Sequence, residues 1–122
     1  MQAFHLHPAT GGDGMLACSG DLLLEALVAC AGVTLNAVAT AIGVEINEGL
    51  VSAEGDLDFR GTLGVSKEAL VGFKEIRLKF NLKSNSDEEQ IQKLVKLTER
   101  YCVVYQTLRS GVNVSTSIQH ES

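Results

Sequence analysis

The chain has 122 residues, 45% hydrophobic and 20% charged, a composition that excludes disorder and fits one globular domain, residues 1–122. Its formal net charge is −5 and no window concentrates Lys and Arg, which argues against nucleic acid or an anionic membrane surface as partner. Aromatic residues make up only 5% and Trp is absent, so the core must be aliphatic.

The first residues, MQAFHLHPATGGDG, lack the basic start and apolar run of a secretory signal. Residues 1–20 read as an irregular lead-in, since residues 8–20 alone hold the single proline and four of the 12 glycines. His5 and His7, with Cys18 and Asp13, raise a metal site, but their spacing fits no familiar zinc pattern and no metal is expected.

A helix is expected over 21–42, where LLLEALVACAGVTLNAVATAI is apolar almost all the way round. Ser19 or Asp21 would cap its start, and Gly43 suits its end. Its length raises the question of a membrane span. Asp21, Glu25, Asn36 and Thr40, with no flanking positive charge, favour burial in protein instead.

A strand pair is expected over 50–83. In VSAEGDLDF, Val51, Ala53, Gly55, Leu57 and Phe59 share one face, and Ser52, Glu54, Asp56 and Asp58 the other. In FKEIRLKFNL, Ile76, Leu78, Phe80 and Leu82 alternate with Arg77, Lys79 and Asn81. Antiparallel pairing would set acid against base on a solvated outer face. The connection RGTLGVSKEALVG is long for a hairpin and is expected to move or to cover something.

A second helical region over 87–109 opens with a capping box, Ser86 and Glu89. Its inward stripe is Ile91, Leu94, Val95, Thr98, Tyr101 and Cys102. VNVSTSI, residues 112–118, alternates as a final strand. The fold class is therefore α+β, an antiparallel sheet packed on a long buried central helix.

Three widely spaced cysteines, Cys18, Cys30 and Cys102, make no disulfide framework and read as thiols of a reducing cytosol. On a helical wheel Cys30 shares its face with Leu23, Ala26, Leu27, Thr34 and Ala37, while Asp21 and Glu25 point the other way. Buried cysteines are also common as plain core residues. Cys18 reads as a neutral substitution or a third redox thiol near a helix start.

ACSGDLLLEALVACAGVTL followed by ERYCVVYQTL resembles the OsmC/Ohr family of thiol-dependent hydroperoxide reductases, over roughly residues 8–119. The resemblance implies an OsmC-like fold, an intertwined homodimer, and a cytoplasmic enzyme without a cofactor. It implies that Cys30 is the peroxidatic thiol and Cys102 the resolving one. An organic hydroperoxide would oxidise Cys30 to a sulfenic acid, Cys102 would close a disulfide, and an external dithiol (lipoyl-type, or a small thiol) would reopen it. The apolar surround of Leu27, Val33 and Thr34 would suit an alkyl or fatty-acyl substrate.

A free thiol with pKa near 8.5 needs roughly 3–4 kcal/mol to fall by two to three units, about what one cation ~4 Å away supplies. Family members bring an arginine to this cysteine from N-terminal strands that precede the segment starting here near His5. Where they carry Asn-Pro-Glu before the central helix, this chain reads Cys18-Ser19-Gly20, and the proline after the second cysteine is Val103. Arg60, Arg100 and Arg109 are the substitutes expected to activate Cys30. The rival reading is a non-enzymatic protein of the same fold, holding an apolar ligand in its dimer groove.

Overall fold

A run of Leu, Ala and Val without proline favours helix over any other local structure, and the longest element forms there. The computed structural model describes residues 2–6 and 14–120, with side chains from 20 to 120. Strand β1 (Gln2–Leu6) is followed by helix α1 (Gly14–Ile42), strand β2 (Glu48–Leu57) and the one-turn helix α2 (Phe59–Thr62). Strand β3 (Phe73–Lys83) and helices α3 (Glu88–Tyr101) and α4 (Val103–Ser110) complete the order.

Helix α1 begins at Gly14, so Ser19 and Asp21 lie inside it and cap nothing. Of the expected irregular lead-in, residues 1–20, the described parts are regular, β1 at Gln2–Leu6 and the first turns of α1 from Gly14, and residues 7–13 lie outside the described residues. The C-terminus is as expected: Gly43 takes φ 75°, its N–H reaches the Thr40 carbonyl, and the Val44 N–H reaches Ala39 at 2.9 Å. That pair of bonds is the Schellman closure, which only a residue free to adopt positive φ makes cheaply.

One face of α1, Leu24, Leu27, Val28, Ala31, Leu35 and Ala39, is buried against Val51 and Ala53 of β2 and Leu94 of α3. Leu23, Ala26 and Ala37, expected to share a buried face with Cys30, are exposed, so Cys30 sits at the edge of the buried stripe. Residues Gly20–Ile42 are long and apolar enough to cross a bilayer, and 44% of their most apolar window is buried within the chain.

The sheet has the order β1-β2-β3. Strands β2 and β3 pair antiparallel with Val51 opposite Phe80, Ala53 opposite Leu78 and Gly55 opposite Ile76. Strand β1 adds to β2 in parallel, so the sheet is mixed rather than purely antiparallel. Ser52, expected on a solvated face and here the register partner of His5 in β1, is 6% exposed.

The charged face forms as expected. Arg77 donates to Glu54 at 2.8 Å and to both oxygens of Asp56 at 3.0 and 2.9 Å, and Lys79 lies 3.2 Å from Glu54. Strand β2 ends at Leu57, so Phe59 belongs to α2 rather than to the strand.

A Cβ on Gly55 would stand 2.6 Å from the Phe73 ring, and one on Gly20 would stand 2.9 Å from it. Glycine at both places lets that ring wedge between α1 and β2. The long connection is tied to itself: Gly61 packs on the Leu70 carbonyl, and the Thr62 hydroxyl donates to the Val71 carbonyl at 2.9 Å. Leu63, Val65, Leu70 and Val71 are exposed, so the connection covers no core.

Helix α3 is capped by Asp87, not Ser86: its carboxylate accepts the Gln90 N–H at 2.9 Å. Leu94 and Thr98 face inward as expected, with the Thr98 hydroxyl satisfied by the Leu94 carbonyl at 2.8 Å. Tyr101 is 60% exposed and off the stripe. The expected region 87–109 is two helices, broken at Cys102, whose backbone is extended (φ −78°, ψ 111°). Val103, Val104 and Tyr105, poor helix formers by propensity, nonetheless open α4 directly after it. No strand forms at 112–118: the segment has no regular structure, and Val112, Val114 and Ile118 are mostly exposed.

Candidate active site

The break between α3 and α4 positions the second thiol. Cys102 N–H still bonds the Thr98 carbonyl at 2.9 Å, while Cys102 C=O accepts the first bond of α4, from Gln106 N–H at 3.0 Å. The bend is braced from outside: the Gln106 amide donates to the Glu99 carbonyl at 2.8 Å, and the Tyr105 hydroxyl to the Glu99 carboxylate at 3.4 Å. Cys102 is thereby fully buried in the core cluster, and Cys30 of α1 packs half-buried against that cluster.

Cys102 is the N-cap residue of α4 and makes no side-chain capping bond. The first N–H groups of a helix have no partner within it and attract negative charge. Here the N–H groups of Val104 and Val103, the Cys102 thiol and the Thr34 hydroxyl are the neighbours that favour the charged form of Cys30. Burial pushes the Cys30 thiol up, and those four neighbours more than offset it, so it is lowered from the ordinary thiol value. Cys102 moves the other way, raised first by burial and further by the Cys30 charge beside it. Cys30 is thus biased toward thiolate and Cys102 toward thiol, the polarity that nucleophilic attack followed by disulfide closure requires.

The expected arginines lie elsewhere. Among the described residues, the groups acting most on Cys30 include no cation. Arg60 is held by the Asp58 carboxylate at 2.7 Å, Arg100 stacks 5.6 Å over the ring of its neighbour Tyr101, and Arg109 borders a groove. That groove, about 310 Å³, is lined by Leu27, Phe73, Ile76, Leu78, Tyr105 and Leu108, with Lys74, Glu75 and Arg109 at its rim.

Of the expected pocket residues, Leu27 lines this groove and Thr34 touches Cys30. Val33 is 68% exposed and does not line it. The backbone donors of Val103 and Val104 escape a reading based on side chains.

Among the described residues, no three His, Cys, Asp or Glu side chains cluster as metal ligands. His7 and Asp13 lie outside the described residues. His5 on β1 and Cys18 on α1 have side chains outside them too.

Residues 12–117 match the family model for OsmC-like proteins. The chain is 26% identical over 101 residues to a protein named hydroperoxide reductase from Mycoplasma genitalium, covering 80% of this chain and 68% of that one. The crystal structure of an OsmC-like protein from Mycoplasma pneumoniae superposes with a TM-score of 0.65 at 27% identity. That match covers 75% of this chain and 61% of the solved one, so the present chain spans less than two-thirds of that neighbour.

Proposed function

This chain belongs to the OsmC-like family, and on that premise we propose that it reduces organic hydroperoxides by a two-cysteine cycle. The observation that carries the reading is the placement of Cys30 against the core cluster that holds Cys102, with the two neighbouring thiols biased in opposite directions, Cys30 toward thiolate and Cys102 toward thiol. The relative named hydroperoxide reductase supports peroxidase chemistry at the level of the family.

The Cys30 thiolate attacks the distal oxygen of the hydroperoxide. The O–O bond breaks, the alkoxide leaves and takes up a proton, and the sulfur is oxidised by two electrons to a sulfenic acid. The Cys102 sulfur then displaces that hydroxyl as water, forming the Cys30–Cys102 disulfide. An external dithiol reduces the disulfide and becomes a disulfide itself, regenerating both thiols. Each turnover converts one hydroperoxide and one dithiol into an alcohol, water and the oxidised dithiol.

The same reading makes the protein a cytoplasmic homodimer. The outward face of α1, with Leu22 at 62% and Val33 at 68% exposure, supports a second copy packing there.

The test is the thiol count before and after one equivalent of cumene hydroperoxide, with mass mapping of the products. Loss of two thiols, a Cys30–Cys102 link and abolition of turnover by Cys30→Ser are the expected results. An unchanged count, or sulfinic acid on Cys30 alone, overturns the cycle and leaves the ligand-holding alternative.

A further inference from the structure

Helix α3 does not stop at Cys102 for want of a continuing pattern. The stripe Ile91, Leu94, Thr98 runs on in register to Cys102, and Val103 is not proline, so it has an N–H with which to extend the helix. In a straight helix that N–H would donate to the Glu99 carbonyl, four residues back. The extended ψ of 111° at Cys102 turns the next peptide group away from that carbonyl. A half-buried carbonyl left without a partner is costly. The Gln106 side-chain amide takes the vacated place, donating to the Glu99 carbonyl at 2.8 Å. On a straight helix Gln106 would stand seven residues on, about 10 Å along the axis, and the carbonyl would already be occupied. The bond therefore belongs to the bent form alone and favours it over the straight one.

We propose that Gln106 is a positioning residue for the thiol pair: by occupying the Glu99 carbonyl it keeps the chain bent at Cys102, and so keeps Cys102 against Cys30. On the two-cysteine reading of the site, on which this role rests, disulfide closure needs both sulfurs at the bend. Cys102 is fully buried there, in the cluster against which Cys30 packs. The Val103 N–H, released from Glu99, is one of the neighbours that favour the charged form of Cys30. Gln106 thus acts on both thiols through the backbone.

The experiment equilibrates the full chain in glutathione redox buffers and measures the constant for forming the Cys30–Cys102 disulfide, by thiol trapping and mass mapping. In that exchange one oxidised glutathione becomes two reduced glutathiones as the two protein thiols are joined. Gln106→Met, which keeps the length of the side chain and lacks the donor, should lower the constant about fivefold, the weight of one neutral hydrogen bond. Adding Val103→Pro should restore it, because proline has no N–H for the Glu99 carbonyl and its ring forbids the straight helix. An unchanged constant in Gln106→Met, even with a lower melting temperature, overturns the role. So does a loss that Val103→Pro fails to restore. If Gln106→Met does not fold, Gln106→Glu carries the same comparison near neutral pH, where its carboxylate cannot donate. Absence of hydroperoxide turnover in the wild type would sink the peroxidase reading, while the redox constants would still decide the role of Gln106.

Discussion

The outer face of the sheet and the junction of α1 with α4 hold negative charge in opposite ways. On the sheet, hydrogen bonds from Arg77 are the main reason that Glu54 and Asp56 titrate below the usual carboxylate range. The side chains involved are between about a quarter and half exposed. At the junction, burial pushes the Cys30 thiol up, and the Val104 and Val103 N–H groups, the Cys102 thiol and the Thr34 hydroxyl together outweigh it. The difference shows where function can tolerate drift. A surface ion pair is screened by salt and replaceable by another. A pair of N–H groups at a helix start depends on backbone geometry alone, and only a proline deletes one without moving the rest.

That contrast breaks most sharply at Val103. Val103→Pro is compatible with α4, because proline suits the first helical position, but it removes one of the two N–H donors to Cys30. Alkylation of Cys30 by iodoacetamide at neutral pH should slow about tenfold, the weight of one hydrogen bond to a charged group. The pH midpoint of alkylation, below that of free cysteine in the wild type, should rise. An unchanged profile with α4 intact by circular dichroism would show that the backbone donors do not hold the thiolate. Thr34→Val, which removes only the last and weakest of the lowering contacts, should slow the reaction about threefold.

Salt sharpens the same contrast with a smaller effect. Raising ionic strength should move the Glu54 and Asp56 carboxyls, followed by NMR, back toward ordinary values, while the Cys30 midpoint moves less. Equal movement would mean that a charged side chain, not the backbone, governs the thiol.

How much of this could be read from the sequence follows from which interactions side chains encode. Helix α1 and the β2–β3 pair were legible because their hydrophobic periods, 3.6 and 2, are uninterrupted, and Gly43 marks an end that only positive φ can close. The two thiols were legible as a pair through their motifs. The break at Cys102 was not, since the stripe Ile91, Leu94, Thr98 continues in register to Cys102 and hides the change of direction. Strand β1 was lost because its partner, β2, is distant in sequence and parallel. The alternation at 112–118 misled for the opposite reason: alternation states what a strand would need, and here no neighbouring strand receives Val112, Val114 and Ile118. The arginines were sought because a side-chain cation is the visible way to lower a thiol, whereas an N–H at a helix start leaves no letter in the sequence.

The smallest expected effect separates charge held by solvent-facing groups from charge held by the backbone. The Asp58 carboxylate takes hydrogen bonds from the Arg60 guanidinium, at 2.7 and 3.1 Å, and from the Arg60 N–H at 3.0 Å. These lower it from its ordinary 3.8 to about 2, the guanidinium being the larger cause. A carboxyl with a depressed folded pKa stabilises above its unfolded value and loses that stabilisation as pH falls through the folded one. The contribution of Asp58 should therefore be full above pH 3.8 and fade toward pH 2. In Asp58→Asn the amide can still accept the Arg60 N–H and cap α2, so only the pH-dependent part is removed. Urea midpoints of the two proteins should differ slightly near neutrality and converge toward pH 2, with the gap narrowed by salt because Arg60 is 72% exposed. A gap that persists at pH 2 would mean that Asp58 acts through the shape of the α2 turn and not through its charge. In that case even this surface carboxylate would belong with Cys30, held by where the backbone goes.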